Sequence, residues 1–167
     1  MNAPPFASHR RRPAEHRAVH PFPSWQPWVA LGGFAFLLHF PWEMLQAPFY
    51  AGLPGAAHWA AVLRCTQATG GDVVITWVAT AAAAMLDGRA WLLRIRLRAV
   101  LLYLTAGLVV TIALEAVNVY VRGEWTYAAS MPTIMGIGLL PLLQWIALPP
   151  LTVWLARRHL GMRSGAG

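Results

Sequence analysis

The chain reads as an all-α polytopic integral membrane protein, a four-transmembrane-helix bundle with both termini cytoplasmic. Three observations predict this. Of its 167 residues, 57% are apolar and only 11% are charged, whereas a soluble domain carries about 25% charged residues. Four apolar runs stand out, and three of them reach the roughly 20 residues that a helix needs to cross a ~30 Å hydrocarbon core. All 13 basic residues are Arg, and they sit between the runs rather than along one face. That is the positive-inside pattern and not a nucleic-acid footprint. Nine Trp, 14 Gly and 13 Pro in so apolar a chain suit a membrane protein better than an aqueous Rossmann, P-loop or barrel enzyme.

Residues 1–24 hold Arg10, Arg11, Arg12 and Arg17 and show almost no periodicity, so they are expected to form a disordered basic cytoplasmic tail. A secretory signal is disfavoured. The basic region is too long, and the apolar run after it contains His39 and Glu43. The transmembrane domain is expected over 25–160. Its first span is 28–49. The second ends at Leu86, before Asp87-Gly88-Arg89. From Val73 to Leu86 is only about 21 Å of helix, too short to cross, so this span must start upstream near 64 and carry Asp72 inside the membrane. The third span is 97–121 and the fourth 132–156, followed by a flexible tail at 161–167.

With four crossings, 11 of the 13 Arg fall on one side, so both termini are expected in the cytoplasm and the protein in a bacterial inner membrane. Trp25, Trp28, Trp91 and Trp154 would mark the inner interface. Tyr50, Trp59, Tyr120, Trp125 and Tyr127 would mark the outer one. The single cysteine, Cys65, excludes an internal disulfide and any multi-Cys metal site, and is expected to be inert.

The polar residues inside the spans carry the functional argument, because a charge at the bilayer centre costs about 2.5–3.5 kcal/mol on insertion scales. His39, Glu43 and Gln46 share a face of the first helix by their spacings of four and three. Asp72 and Thr76 do so on the second, and Thr111, Glu115, Asn118 and Arg122 on the third. Gln144 lies on the fourth, just after Pro141. Three helices place carboxylates at a similar depth toward the extracytoplasmic side. One buried cluster is therefore expected, roofed by the Arg122–Tyr127 loop. Plainer roles stay open. Glu115 and Asn118 can hold helices together by hydrogen bonds, His39 with Glu43 can be a structural pair, and Asp72 can be a helix N-cap. Gln144 suits packing and Arg122 an interfacial charge.

A histidine among two or three carboxylates in an apolar cavity can move protons on a hydrophobic substrate, for example at a carbon beside a double bond. His39, Glu43, Asp72 and Glu115 are the candidate catalytic residues. Gln46, Thr76, Asn118, Trp125, Tyr127 and Gln144 are the candidate substrate contacts. No cofactor is required. A metal on His39, Glu43, Asp72 and Glu115 is a minor alternative, because zinc favours more nitrogen or sulfur than one His supplies.

The run LLHFPWEMLQAPFY (Leu37 to Tyr50) resembles the first core helix of the EXPERA superfamily, which covers emopamil-binding sterol isomerases and the sigma-2 receptor. Asp72 in GGDVVITW falls where that family has an acidic residue, and LLQWIALPPLTVW (Leu142 to Trp154) is similar to its last helix. The resemblance implies an intramembrane proton-transfer pocket for a sterol-like or isoprenoid ligand, with His39, Glu43 and Asp72 as acid/base residues and Gln144 as a ligand contact. Gln144 stands where the isomerases usually have Asn. Glu115-x-x-Asn118 and GEWTY (Gly123 to Tyr127) have no placed counterpart.

The leading expectation is thus a small intramembrane acid/base enzyme, isomerase- or hydratase-like, acting on a lipid, isoprenoid or sterol-like molecule in the outer half of the bilayer. The alternatives are a non-enzymatic membrane subunit or lipid-binding protein, and a proton- or ion-coupled transporter. The expected partners are membrane lipid or a hydrophobic small molecule, with no nucleic acid. A homo-oligomer or a membrane-complex partner is possible.

Overall fold

The structure, a computed structural model, describes residues 25–88 and 91–161. The expected basic tail and all but the first residue of the expected C-terminal tail lie outside the described residues. Four long helices dominate: α1 (Gln26–Gln46), α2 (His58–Asp87), α3 (Leu97–Ala116) and α4 (Leu139–His159). All four are long and apolar enough to cross a membrane, with α1 and α3 extended to Phe49 and Arg122 by short 3₁₀ and π segments. Each helix packs on the next, and α4 closes back onto α1, so the helices form a ring.

Large apolar side chains cover the outside of this ring. Leu37, Leu45, Leu63, Val109, Val121 and Ile146 are all exposed. A helix apolar on every side is a membrane span or a deeply buried helix. Lipid gives no hydrophobic force between helices, so close packing must come from small residues. A Cβ on Gly107 would fall 2.2 Å from the Trp145 ring, and one on Gly32 would fall 2.9 Å from Trp77. Ala79 and Ala83 are wholly buried in the same way. The hydroxyls of Thr66, Thr69, Thr80 and Thr152 donate to the carbonyl one turn back, which satisfies them within their own helices.

The interior divides along its length. One half is an apolar core of Leu31, Ala79, Ala83, Trp91, Leu92, Ala99, Tyr103, Val153 and Ala156. Residues 91–96 close this end. There Arg96 and Arg98 donate to the Asp87 carboxylate, and buried Arg157 donates to the Leu92 carbonyl. The other half holds the polar residues, beneath two loops that are stitched together. Tyr50 and Tyr127 form an isolated β-bridge. Ala51 N–H donates to Thr126 O, and Ala128 N–H to Phe49 O, each at 2.9 Å.

Several details differ from the sequence expectations. α2 begins at His58, upstream of 64, so Asp72 lies mid-helix and is no N-cap. α4 begins at Leu139 and not at 132. The intervening residues form a small hairpin, β1 (Thr133–Ile134) with β2 (Ile137–Gly138). Its two turn residues, Met135 and Gly136, both have positive φ, the geometry of a tight primed turn. Arg64 sits on α2 and not in the first loop. Trp91 and Tyr50 are buried, so they are core residues and not interface anchors. Trp25, Trp59, Trp154 and Tyr120 are exposed, and Trp154 carries Arg158 over its ring.

Candidate functional site

α1 turns His39, Glu43 and Gln46 inward on one face, and all three are buried. α1 runs helical through Pro41, which is exposed. α2 supplies Asp72 and Thr76, also buried, and α4 supplies Gln144. His39, Glu43 and Asp72 meet at one atom of Gln144. Gln144 Nε2 lies 2.8 Å from His39 Nδ1, 3.1 Å from Glu43 Oε1 and 3.0 Å from Asp72 Oδ2. His39 Nδ1 is also 3.2 Å from Asp72 Oδ2. Gln46 Nε2 donates to Glu43 Oε1 at 2.7 Å and reaches Gln144 Oε1 at 3.4 Å, while its own oxygen accepts from Trp42 Nε1 at 3.1 Å.

Hydrogen counting makes this network informative. A side-chain amide nitrogen carries two hydrogens, and here it faces three groups that can accept. With His39 Nδ1–H donating to Asp72, both amide hydrogens remain for Glu43 and Asp72. His39 Nε2 and Thr76 Oγ1 are buried without hydrogen-bond partners. An imidazole and two carboxyls thus stand within hydrogen-bond reach of one amide, and these are the residue types that acid/base transfer uses.

Glu115 belongs to a second, adjoining arrangement. α3 carries it to the same cavity, but its carboxylate accepts from the Tyr127 hydroxyl at 2.5 Å and not from Gln144. The Tyr127 oxygen accepts in turn from Gly138 N–H at 2.9 Å. This phenol is held above its ordinary titration range, first by burial and then by the Glu115 carboxylate. Tyr50 is raised likewise, chiefly by burial. It stacks edge-on to Trp125 at 6.3 Å and tilted against Tyr127 at 5.8 Å. Gly123, in the left-handed region at φ 62°, ends the π segment of α3 and turns the chain into this roof.

Between the two arrangements lies a cavity of about 650 Å³. Glu43, Gln46, Asp72, Glu115, Asn118, Trp125 and Gln144 line it. Of the sequence-predicted site residues, His39, Thr76 and Tyr127 do not line it but stand behind or beside those that do. Sequence reasoning undervalued Gln144, which is the hub and more than packing. It placed Tyr50 at the outer interface and read Cys65 as inert; both are buried and line the cavity, with the Cys65 thiol 3.7 Å from the Glu43 carbonyl. The signal for Gln144 was present, since an amide in an apolar helix needs polar partners. For Tyr50 and Cys65 there was none beyond position. Among the described residues no three His, Cys, Asp or Glu side chains are grouped to hold a metal ion.

No known protein family, no curated protein and no solved structure matches this chain.

Proposed function

We propose that the protein is a small intramembrane acid/base enzyme that protonates or deprotonates a carbon of a lipid-soluble substrate, isoprenoid or sterol-like. The observation that carries this reading is the convergence of His39, Glu43 and Asp72 on Gln144 Nε2 beside a cavity large enough for part of a lipid chain. A purely structural network satisfies its own donors and acceptors. This one leaves an imidazole nitrogen, His39 Nε2, without a partner. In this reading Asp72 with His39 forms the proton-holding pair. Glu43 works from the cavity wall, and Gln144 keeps the three groups in register whichever one holds the proton. Glu115, fixed by Tyr127, would stabilise positive charge developing on the substrate.

The EXPERA-like segments at Leu37–Tyr50 and Leu142–Trp154 favour the same chemistry. The Arg distribution favours a bacterial inner membrane with cytoplasmic termini and the cavity in the outer half of the bilayer. The test is turnover of polyisoprenoid and sterol-like candidates in solvent deuterium, read as isotope incorporation by mass spectrometry. Glu43→Gln and Asp72→Asn should each abolish incorporation in protein that still purifies as a folded species. A fully active variant would remove that residue from the chemistry.

A further inference from the structure

The wall of the cavity changes character from floor to mouth. Its floor is acidic, with Glu43, Asp72 and Glu115. Its mouth is rich in donors, with Arg64 from α2, Asn118 and Arg122 from α3, and the indole of Trp125. Arg64 is exposed and has no ion-pair partner among the described residues. Arg122 meets only Glu124, at 3.2 Å with both side chains more than half exposed. Such a pair is worth little, and a guanidinium has five N–H donors to offer. The Trp125 indole N–H is directed at the Glu115 carboxylate and ties the mouth to the floor. Inside the mouth, the Thr111 hydroxyl is buried and unpartnered on a residue that lines the cavity. An arginine that served only to anchor a helix at the interface would not need to line a cavity.

The same wall is low on one side. Between the two arginines and the carboxylates, α2 presents Ala68 and Gly71 and α3 presents Leu114, all exposed and all lining the cavity. No atom lies within 4 Å of the place where a Cβ on Gly71 would stand. The cavity therefore opens sideways between α2 and α3, at the depth of Asp72 and Glu115. Two helices give the same spacing between mouth and floor. About 12 Å of helix rise separates Arg64 from Asp72, and about 10 Å separates Glu115 from Arg122.

We propose that the cavity binds a single-chain amphiphile with an anionic head, a phosphate or carboxylate. Arg64 and Arg122 hold the head, and the chain leaves between Gly71 and Leu114. This inference rests on the acid/base reading for its reaction and adds the substrate's polar end. It implies that the reacting carbon lies several bonds along the chain and not next to the head.

The experiment is equilibrium binding to the full-length chain in neutral detergent, with a radiolabelled long-chain prenyl monophosphate and its parent alcohol. The phosphate should bind about tenfold or more tightly than the alcohol, as charge-assisted bonds to arginine require. The paired change Arg64→Gln with Arg122→Gln should erase that difference and leave alcohol binding unchanged. Added salt should weaken the phosphate alone. Equal binding of the two probes by the native chain, or a preference that survives in the paired variant, overturns the proposal. Inorganic phosphate is the third probe. If it binds by itself as tightly as the prenyl phosphate, the mouth is a site for a free anion and the amphiphile is wrong. Gly71→Trp should block both chain-bearing probes, while Gly33→Trp, at an exposed glycine with open space around it, should not. Normal binding by the Gly71 variant overturns the side opening. Binding by Asp72→Asn separates the two readings, since it should keep the phosphate preference even where turnover is lost.

Discussion

Removing the amide of Gln144 gives the sharpest test of the polar cluster. In Gln144→Leu the side chain keeps roughly its size, but the donor to His39, Glu43 and Asp72 disappears. Two hydrogens mean that two of the three contacts are true bonds at any moment. Interhelical hydrogen bonds in membranes average about 0.6 kcal/mol and reach about 1.7 kcal/mol, so two of them set a loss of about 1–3 kcal/mol. Stranded acceptors that carry charge push toward the top of that range, because an unsatisfied buried group costs about 1–3 kcal/mol by itself. The assay is unfolding in mixed detergent micelles with increasing dodecyl sulfate, followed by near-ultraviolet circular dichroism of the tryptophans. A double-mutant cycle with Asp72→Asn isolates the coupling. The asparagine brings its own donor, so the pair should be non-additive by about 0.5 kcal/mol or more. A Gln144→Leu protein within about 0.5 kcal/mol of native, additive with Asp72→Asn, would refute the argument that this amide organises the site.

Three further outcomes follow from the same geometry. Gly107→Ala would set a Cβ 2.2 Å from the Trp145 ring and must push that ring away; it should cost about 1–3 kcal/mol in the same unfolding assay. The exposed and open Gly33 should accept alanine without loss. Tyr127 and Tyr50 lie outside the helices, and burial raises both phenols above the ordinary tyrosine value of about 10. The folded state therefore holds their protons longer than the unfolded chain. Their contribution is fully present below about pH 10 and is lost as pH climbs above it. An alkaline fall in stability should appear there, and Tyr127→Phe should reduce it. Reporter fusions at either terminus should give cytoplasmic signals, and one after Gly136 a signal from the opposite side. A reversed result would exchange the inner and outer ends.

The architecture was legible because each span is apolar throughout and the lipid requires a helix wherever the chain crosses. The candidate residues were legible for a complementary reason. Polar groups such as Glu43, Asp72 and Glu115 are too costly in hydrocarbon to be there without partners. Helix limits were less so. α2 reaches back to His58 because Trp59, Ala60 and Ala61 accept helix as readily as loop. The 132–138 segment reads as apolar span yet folds as a hairpin, since Met135-Gly136 turns it. The division of the four proposed catalytic residues was also hidden. Helical spacing puts Glu115 on an inward face, but only the chain's return from Gly123 to Gly138 decides that Tyr127, and not Gln144, takes its carboxylate.

The asymmetry between the two halves of the bundle has a physical reason that bears on function. A polar network costs least where nothing else depends on its geometry. The half with Leu31, Ala79, Ala83, Tyr103 and Ala156 holds the helices at close range through small residues. Bonds from Arg98 to Asp87 and from Arg157 to the Leu92 carbonyl fix that end. The other half is then free to spread, and α2 and α3 part enough for a cavity at Gly71 and Leu114. If the polar network were the chief source of stability, it would have to be dry, closed and fully satisfied. Instead it borders an open cavity. Stability is thus assigned to one end, and under the proposed function the acid/base chemistry falls to the other. Changes in the apolar half should therefore unfold the protein before they alter its chemistry. Conservative changes at Glu43 or Asp72 should do the reverse.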